Sequence, residues 1–130
     1  MTHLDDLTNG AVLTATRTVS DADIDACAEL TGDFGLHHVA GLAGRRIAQG
    51  LLVVAVAPLL RGERDFALRA MSLTFRAPVY SGDTVTASVR VSDADTGGSG
   101  EFGLELSVRN QDDVEVVTGT GVGVVHPPAA

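Results

Sequence analysis

The chain reads as an α+β protein in which an antiparallel sheet curls around one central apolar helix, and three observations point there. The run Leu51 to Leu60 carries no charge and is about half as long as a membrane span, so it belongs to a buried element. After Gly62 the hydrophobic pattern changes to period two and keeps that period to Val125. The alternating stretches are separated by Gly, Ser, Asn and Asp, the residues that turn hairpins. A sheet with one apolar face and a helix apolar on every side bury each other.

Each element follows from local sequence. Ala11 to Val19 alternates partly and reads as a strand. Ser20 offers a hydroxyl N-cap, and Asp21 and Asp23 stand where the helix dipole favours anions. Ile24, Cys27, Ala28 and Leu30 or Thr31 recur at helical spacing, which predicts a short helix to about Gly32, with Cys27 in the core. Asp33 to His38 reads as irregular, followed by small residues and the pair Arg45-Arg46. The run Gly50 to Leu60 has the valines of a strand but the length and all-round apolarity of a buried helix; we assign helix, loosened by Pro58. Leu68 to Val79 reads as a long strand with Met71, Leu73 and Phe75 on one face, ending at a Ser81-Gly82-Asp83 turn. Val85 to Val91 alternates, Gly97 to Gly100 is a hairpin tip, and Phe102 to Val108 alternates again. Asn110 to Asp113 turns the chain into a last strand, Val114 to Val125. The unpaired edges of such a sheet are best covered by a second copy, so a homodimer is expected.

One hundred and thirty residues suit one domain, 1–130, with a frayed tail at 127–130. A content of 45% hydrophobic and 20% charged residues excludes a disordered chain. One cysteine excludes an intrachain disulfide and a multi-cysteine metal site. It also suits a reducing compartment, and Met-Thr-His-Leu-Asp-Asp is no export signal, so a cytoplasmic, non-membrane protein is expected. The formal charge of −8 argues against a nucleic-acid partner, which needs a basic footprint. No lysine is present, which excludes a lysine Schiff base. Six of the nine arginines lie between Arg45 and Arg76, against only Glu63 and Asp65. That stretch could steer a small anionic ligand or be simply a solvated face.

Four segments carry a family resemblance. Val19 to Ile24 leads into Leu30-Thr31-Gly32-Asp33; Asp33 stands five residues before His38; Arg46 to Leu52 opens the apolar helix; and Phe75 to Val85 forms a strand-turn-strand signature. In these segments the chain resembles hotdog proteins, and more narrowly the MaoC-like dehydratases that include (R)-specific enoyl-CoA hydratases. It departs from that pattern at Gly35-Leu36, where the family usually has Asn-Pro, and at Gln49, where it commonly has His. Nor is there a Ser or Thr between Gly50 and Leu60 to support the acid.

The resemblance implies reversible hydration of a 2-enoyl thioester of CoA or acyl carrier protein, without a cofactor or metal. Such chemistry needs a group to activate water, a proton for Cα and donors for the thioester oxygen. The family picture gives the first two tasks to Asp33 and His38, and the third to the Gly50 N–H at the helix start. Gln49, Arg45, Arg46 and Leu51 are the substrate-binding candidates: Gln49 could hydrogen-bond a carbonyl, and the arginines could hold a phosphate. Each residue also has a plainer role. Asp33 could brace its loop, His38 could be structural, Gly50 could serve close packing, and Tyr80 could simply pack. His37 competes with His38, and the spacing selects His38 and leaves His37 pointing away. Two other functions stay open: a tailoring dehydratase or cyclase acting on a polyketide-like intermediate, and a non-catalytic ligand-binding domain.

Overall fold

The computed structural model describes residues 10, 12–41, 44–55, 66–92 and 100–125. The second half of the apolar run with Pro58, Arg61 and Arg64, residues 97–99 of the hairpin tip and the tail at 127–130 lie outside the described residues. In chain order the elements are β1 (Val12–Thr18), α1 (Asp21–Thr31), α2 (Leu36–Val39), α3 (Gly50–Ala55), β2 (Phe66–Phe75), β3 (Thr84–Ser92), β4 (Glu101–Arg109) and β5 (Glu115–Val125). The strands form one antiparallel sheet in the order β1-β3-β4-β5-β2.

Alternation decides which face is buried. Val85, Ala87, Val89 and Val91 of β3 and Phe102, Leu104, Leu106 and Val108 of β4 are all buried. The register sets Ala87 opposite Val108, Val89 opposite Leu106 and Val91 opposite Leu104, so they share one face. With Val116 and Val117, and with Ala48, Val53 and Val54 from α3 and its approach, they make the core. On β5 the residues opposite Phe102, Leu104 and Leu106 are Gly123, Gly121 and Gly119. A Cβ at Gly123 would stand 2.5 Å from the Phe102 ring, so glycine there makes room for the large side chain of the next strand.

α1 forms as its caps dictate. Ser20 Oγ accepts from Asp23 N–H at 3.1 Å, and Asp23 Oδ2 accepts from Ser20 N–H at 3.1 Å, a reciprocal capping box. Gly32 ends the helix in the left-handed region with its N–H on Ala28 O at 2.8 Å. The Asp23 carboxyl lies below its ordinary value. Burial alone would raise it, but the bonds from Ser20 and from the Arg17 guanidinium outweigh that effect.

The sheet differs from expectation in its connections. β2 does not pair with β3; it crosses to the far edge and pairs with β5. Its ladder runs from Phe66 only to Phe75, not to Val79, because Arg76 and Ala77 N–H both turn onto Val116 O and Pro78 has no N–H to give. The segment beyond Asp33 is not wholly irregular, since one helical turn, α2, forms within it. Leu30 is 87% exposed and off the core face, Cys27 is only partly buried, and the buried residues of α1 are Ile24 and Ala28. α3 is not buried on every side: Val53 and Val54 face the core, while Leu51 is 66% exposed.

The turn after β2 is held by one buried carboxylate. Asp83 accepts from Tyr80 N–H at 2.9 Å and from Gln111 Nε2 at 3.0 Å. Among the described residues, no helix is long and apolar enough to cross a membrane.

Candidate active site

The site begins where α1 stops. After Gly32, Asp33 Oδ1 accepts from Gly35 N–H at 3.3 Å, an aspartate turn that leaves Oδ2 free to face elsewhere. α2 then makes a single turn, with Gly35 O accepting from His38 N–H at 2.9 Å and Val39 N–H at 3.1 Å. That turn brings His38 back towards Asp33, and His38 Nε2 lies 3.3 Å from Asp33 Oδ2. The imidazole is buried, whereas the carboxylate is half exposed.

The other ring nitrogen is committed. His38 Nδ1 lies 2.7 Å from Ile47 O, and a carbonyl oxygen only accepts, so Nδ1 carries a proton. In the neutral ring Nε2 is therefore the unprotonated, basic nitrogen, and it is the one that faces Asp33. The Nε2–Oδ2 contact is favourable only with a proton on one of the two atoms.

Nearby, Gln49 O accepts from Val53 N–H at 3.2 Å, and Gly50 opens α3. The first-turn amides of a helix have no acceptor within it, so the Gly50 N–H is free of intrahelical bonding. Packing also explains the glycine: a Cβ at position 50 would stand 2.7 Å from Phe75 Cε1.

His38 and Gly50 line the same open cleft of about 530 Å³, within the usual range of small-molecule sites. One wall is Ile47, Ala48, Leu51 and Val53; the other is Phe75, Ala77, Pro78, Val79 and Val117. His37 and Arg76 add the remaining polar lining. Asp33 is outside this lining and meets it through His38.

The structure thus brings Asp33, His38, Gly50 and Leu51 together but not the other three substrate-binding candidates. Gln49 is buried and turns to α1, its Nε2 donating to Ile24 O at 3.1 Å while its Oε1 has no partner. Arg45 lies over the Tyr80 ring, 4.0 Å from its centroid, and 3.6 Å from Asp83. Arg46 is spent on α1 and α2: its Nε donates to His38 O at 2.7 Å and its NH2 to Asp25 Oδ1 at 2.6 Å. None of the three lines the cleft.

Two cleft residues had been set aside. His37 does not point away; it lines the cleft and lies against the His38 ring, centroid to centroid 3.7 Å. Arg76, grouped with the surface arginines, stands in the lining with its Nε donating to Thr118 Oγ1 at 2.9 Å. Its place directly after Phe75, at the end of a strand, was the available signal. No group of three or more His, Cys, Asp or Glu among the described residues is placed to hold a metal ion.

No protein-family profile matches the chain. The comparison with curated proteins gives no match either. Solved structures match over nearly the whole length. The (R)-hydratase from A. caviae involved in PHA biosynthesis is 26% identical with a TM-score of 0.82, over 92% of this chain and 98% of that one. R-hydratase PhaJ1 from Pseudomonas aeruginosa is 20% identical with a TM-score of 0.81, over 98% and 94%. The MaoC-like dehydratase from Rhodospirillum rubrum is 19% identical with a TM-score of 0.67, over 97% and 98%. The chain is an α+β hotdog protein. Within that fold the chain is similar to the (R)-hydratase from A. caviae and to the MaoC-like dehydratase from Rhodospirillum rubrum.

Proposed function

We propose that this protein is a hydro-lyase of a single 1–130 domain, interconverting 2-enoyl and 3-hydroxyacyl thioesters of CoA or an acyl carrier protein. The observation that carries the proposal is the 3.3 Å contact between Asp33 and a His38 whose other nitrogen is held by a backbone carbonyl, beside the Gly50 amide. A domain that only bound a ligand would not need that arrangement.

In the forward direction a water lies between Asp33 and His38. Asp33 takes a proton from it as its oxygen attacks Cβ, and the electron pair of the double bond moves towards the thioester carbonyl. The Gly50 N–H donates to the resulting enolate oxygen. His38, protonated at Nε2, gives that proton to Cα. The proton on Asp33 then returns to His38 across the 3.3 Å contact, so the net change is addition of one water. The apolar walls of Val53, Ala77, Pro78, Val79 and Val117 suit an acyl chain. Arg76 at the lining suits a phosphate of the carrier.

The active form is a cytoplasmic homodimer. β1 and β2 are the sheet edges; β1 exposes Val12, whereas β2 exposes the larger Leu68 and Phe75, the latter beside the cleft. A second copy laid along β2 would pair its backbone and cover Phe75.

The test is hydration of crotonyl-CoA, followed by loss of the enoyl absorbance, with wild type, Asp33→Asn and His38→Ala. We expect turnover by wild type and a fall of about 100-fold or more in each variant. Equal turnover in all three would remove these residues from the mechanism.

A further inference from the structure

We propose that Arg46 is a positioning residue for His38, acting with Asp25 to hold the imidazole where Nδ1 keeps its proton on Ile47 O and Nε2 alone exchanges a proton with Asp33 and substrate; this rests on the hydratase reading above. Arg46 is the hub between three separate elements. Its Nε donates to the carbonyl of His38 itself at 2.7 Å. Its NH2 donates to Asp25 Oδ1 at 2.6 Å, and its NH1 lies 3.3 Å from Asp21 Oδ1, both on α1. Its own carbonyl accepts from Ser81 N–H at 2.9 Å in the turn before β3.

The next residue completes the clamp. Ile47 N–H donates to His37 O at 2.9 Å, and Ile47 O receives the His38 Nδ1 proton at 2.7 Å. The strip Arg46-Ile47 therefore grips His37-His38 by three hydrogen bonds, two to backbone and one to the ring. α2 is one turn long and contributes no large apolar residue to the core, so packing alone does not fix it. Its place is set by bonding, and the guanidinium is the part of that bonding anchored to α1. If the His38 carbonyl shifts, the Nδ1–Ile47 bond lengthens, the tautomer is no longer fixed, and Nε2 leaves Asp33.

Two acids explain why arginine stands here. A guanidinium presents several donors in a rigid fork and can bind a carbonyl and two carboxylates at once; an ammonium cannot hold that set in fixed directions. The side chain is 19% exposed while those of Asp21 and Asp25 are 66% and 65% exposed, so the cation is the more shielded member.

The experiment combines kinetics with a catalysis-independent readout. Hydration kinetics are measured for wild type, Arg46→Ala, Arg46→Lys and Asp25→Asn, and ring nitrogens of 15N-histidine-labelled protein are observed by NMR. For Arg46→Ala we expect kcat to fall about 100-fold, the cost of a displaced catalytic group, with KM changed far less. Arg46→Lys should recover only part of the loss. The His38 signal should show a protonated Nδ1 and unprotonated Nε2 in the neutral wild-type ring, and a tautomer mixture in Arg46→Ala. Wild-type kcat and the wild-type tautomer in Arg46→Ala would overturn the proposal. If Arg46→Ala does not fold, Arg46→Lys and Asp25→Asn decide it by the same two measurements. If wild type hydrates no thioester, the hydratase reading fails, while the NMR comparison still decides whether Arg46 sets the tautomer.

Discussion

Two aspartates sit in two short turns of this molecule, and they have opposite fates. Asp83 is buried, and both oxygens are used, one on Tyr80 N–H and one on Gln111 Nε2, with Arg45 3.6 Å away. Asp33 is half exposed, uses one oxygen to close its turn and leaves the other facing His38. The first carboxylate is consumed by structure, and the second keeps one oxygen on an imidazole nitrogen. A reactive carboxylate is thus recognised by the partner it keeps, since both belong to sequence signatures and both sit near glycine.

The sharpest way to break this contrast is to exchange the consequences. Asp33→Asn should lower kcat/KM for hydration by about 100-fold or more while the denaturant midpoint stays within the small range of surface substitutions. A large loss of stability would place Asp33 with Asp83 as a structural group. Asp83→Ala should do the reverse. It leaves buried donors unpaired, at a cost of about 1–3 kcal/mol each, and should lower the melting temperature while the folded fraction keeps its turnover. Intermediate in size is Gly50→Ala. Its Cβ would meet the Phe75 ring at 2.7 Å, and because that ring is half exposed it can swing aside, so we expect a loss of about 1 kcal/mol and a clear rise in KM.

The smallest effect belongs to Asp23. Its carboxyl is held below the ordinary 3.8, so the folded chain binds that proton more weakly than the unfolded chain does. The stability it contributes is complete at neutral pH, and is lost from about pH 5 downward as the folded group becomes protonated. Melting curves of wild type and Asp23→Asn should differ at pH 7, and the gap should narrow as the pH falls below about 5. A constant gap would detach the effect from titration.

What was legible in the sequence was what is local. The Ser20–Asp23 box and Gly32 bracket α1 within residues of their partners, and alternation marked the buried faces of β3 and β4. Period two tells which face is buried but not which strand is adjacent, so the crossing of β2 to β5 could not be read. At the site, the family resemblance, through its five-residue spacing, carried Asp33 and His38. The fates of Gln49 and Arg46 depended on Ile24 O and on Asp21 and Asp25, all on α1. Those partners lie 21 to 25 positions away, and no local pattern joins them.

The glycines of β5 carry a consequence for the history of the fold. Because Gly123 yields space to Phe102 of β4 and Gly119 to Leu73 of β2, β5 is fitted to the strands on both of its sides. In related chains, a methyl gained at position 123 should travel with a smaller residue at 102, and the two columns should change as one.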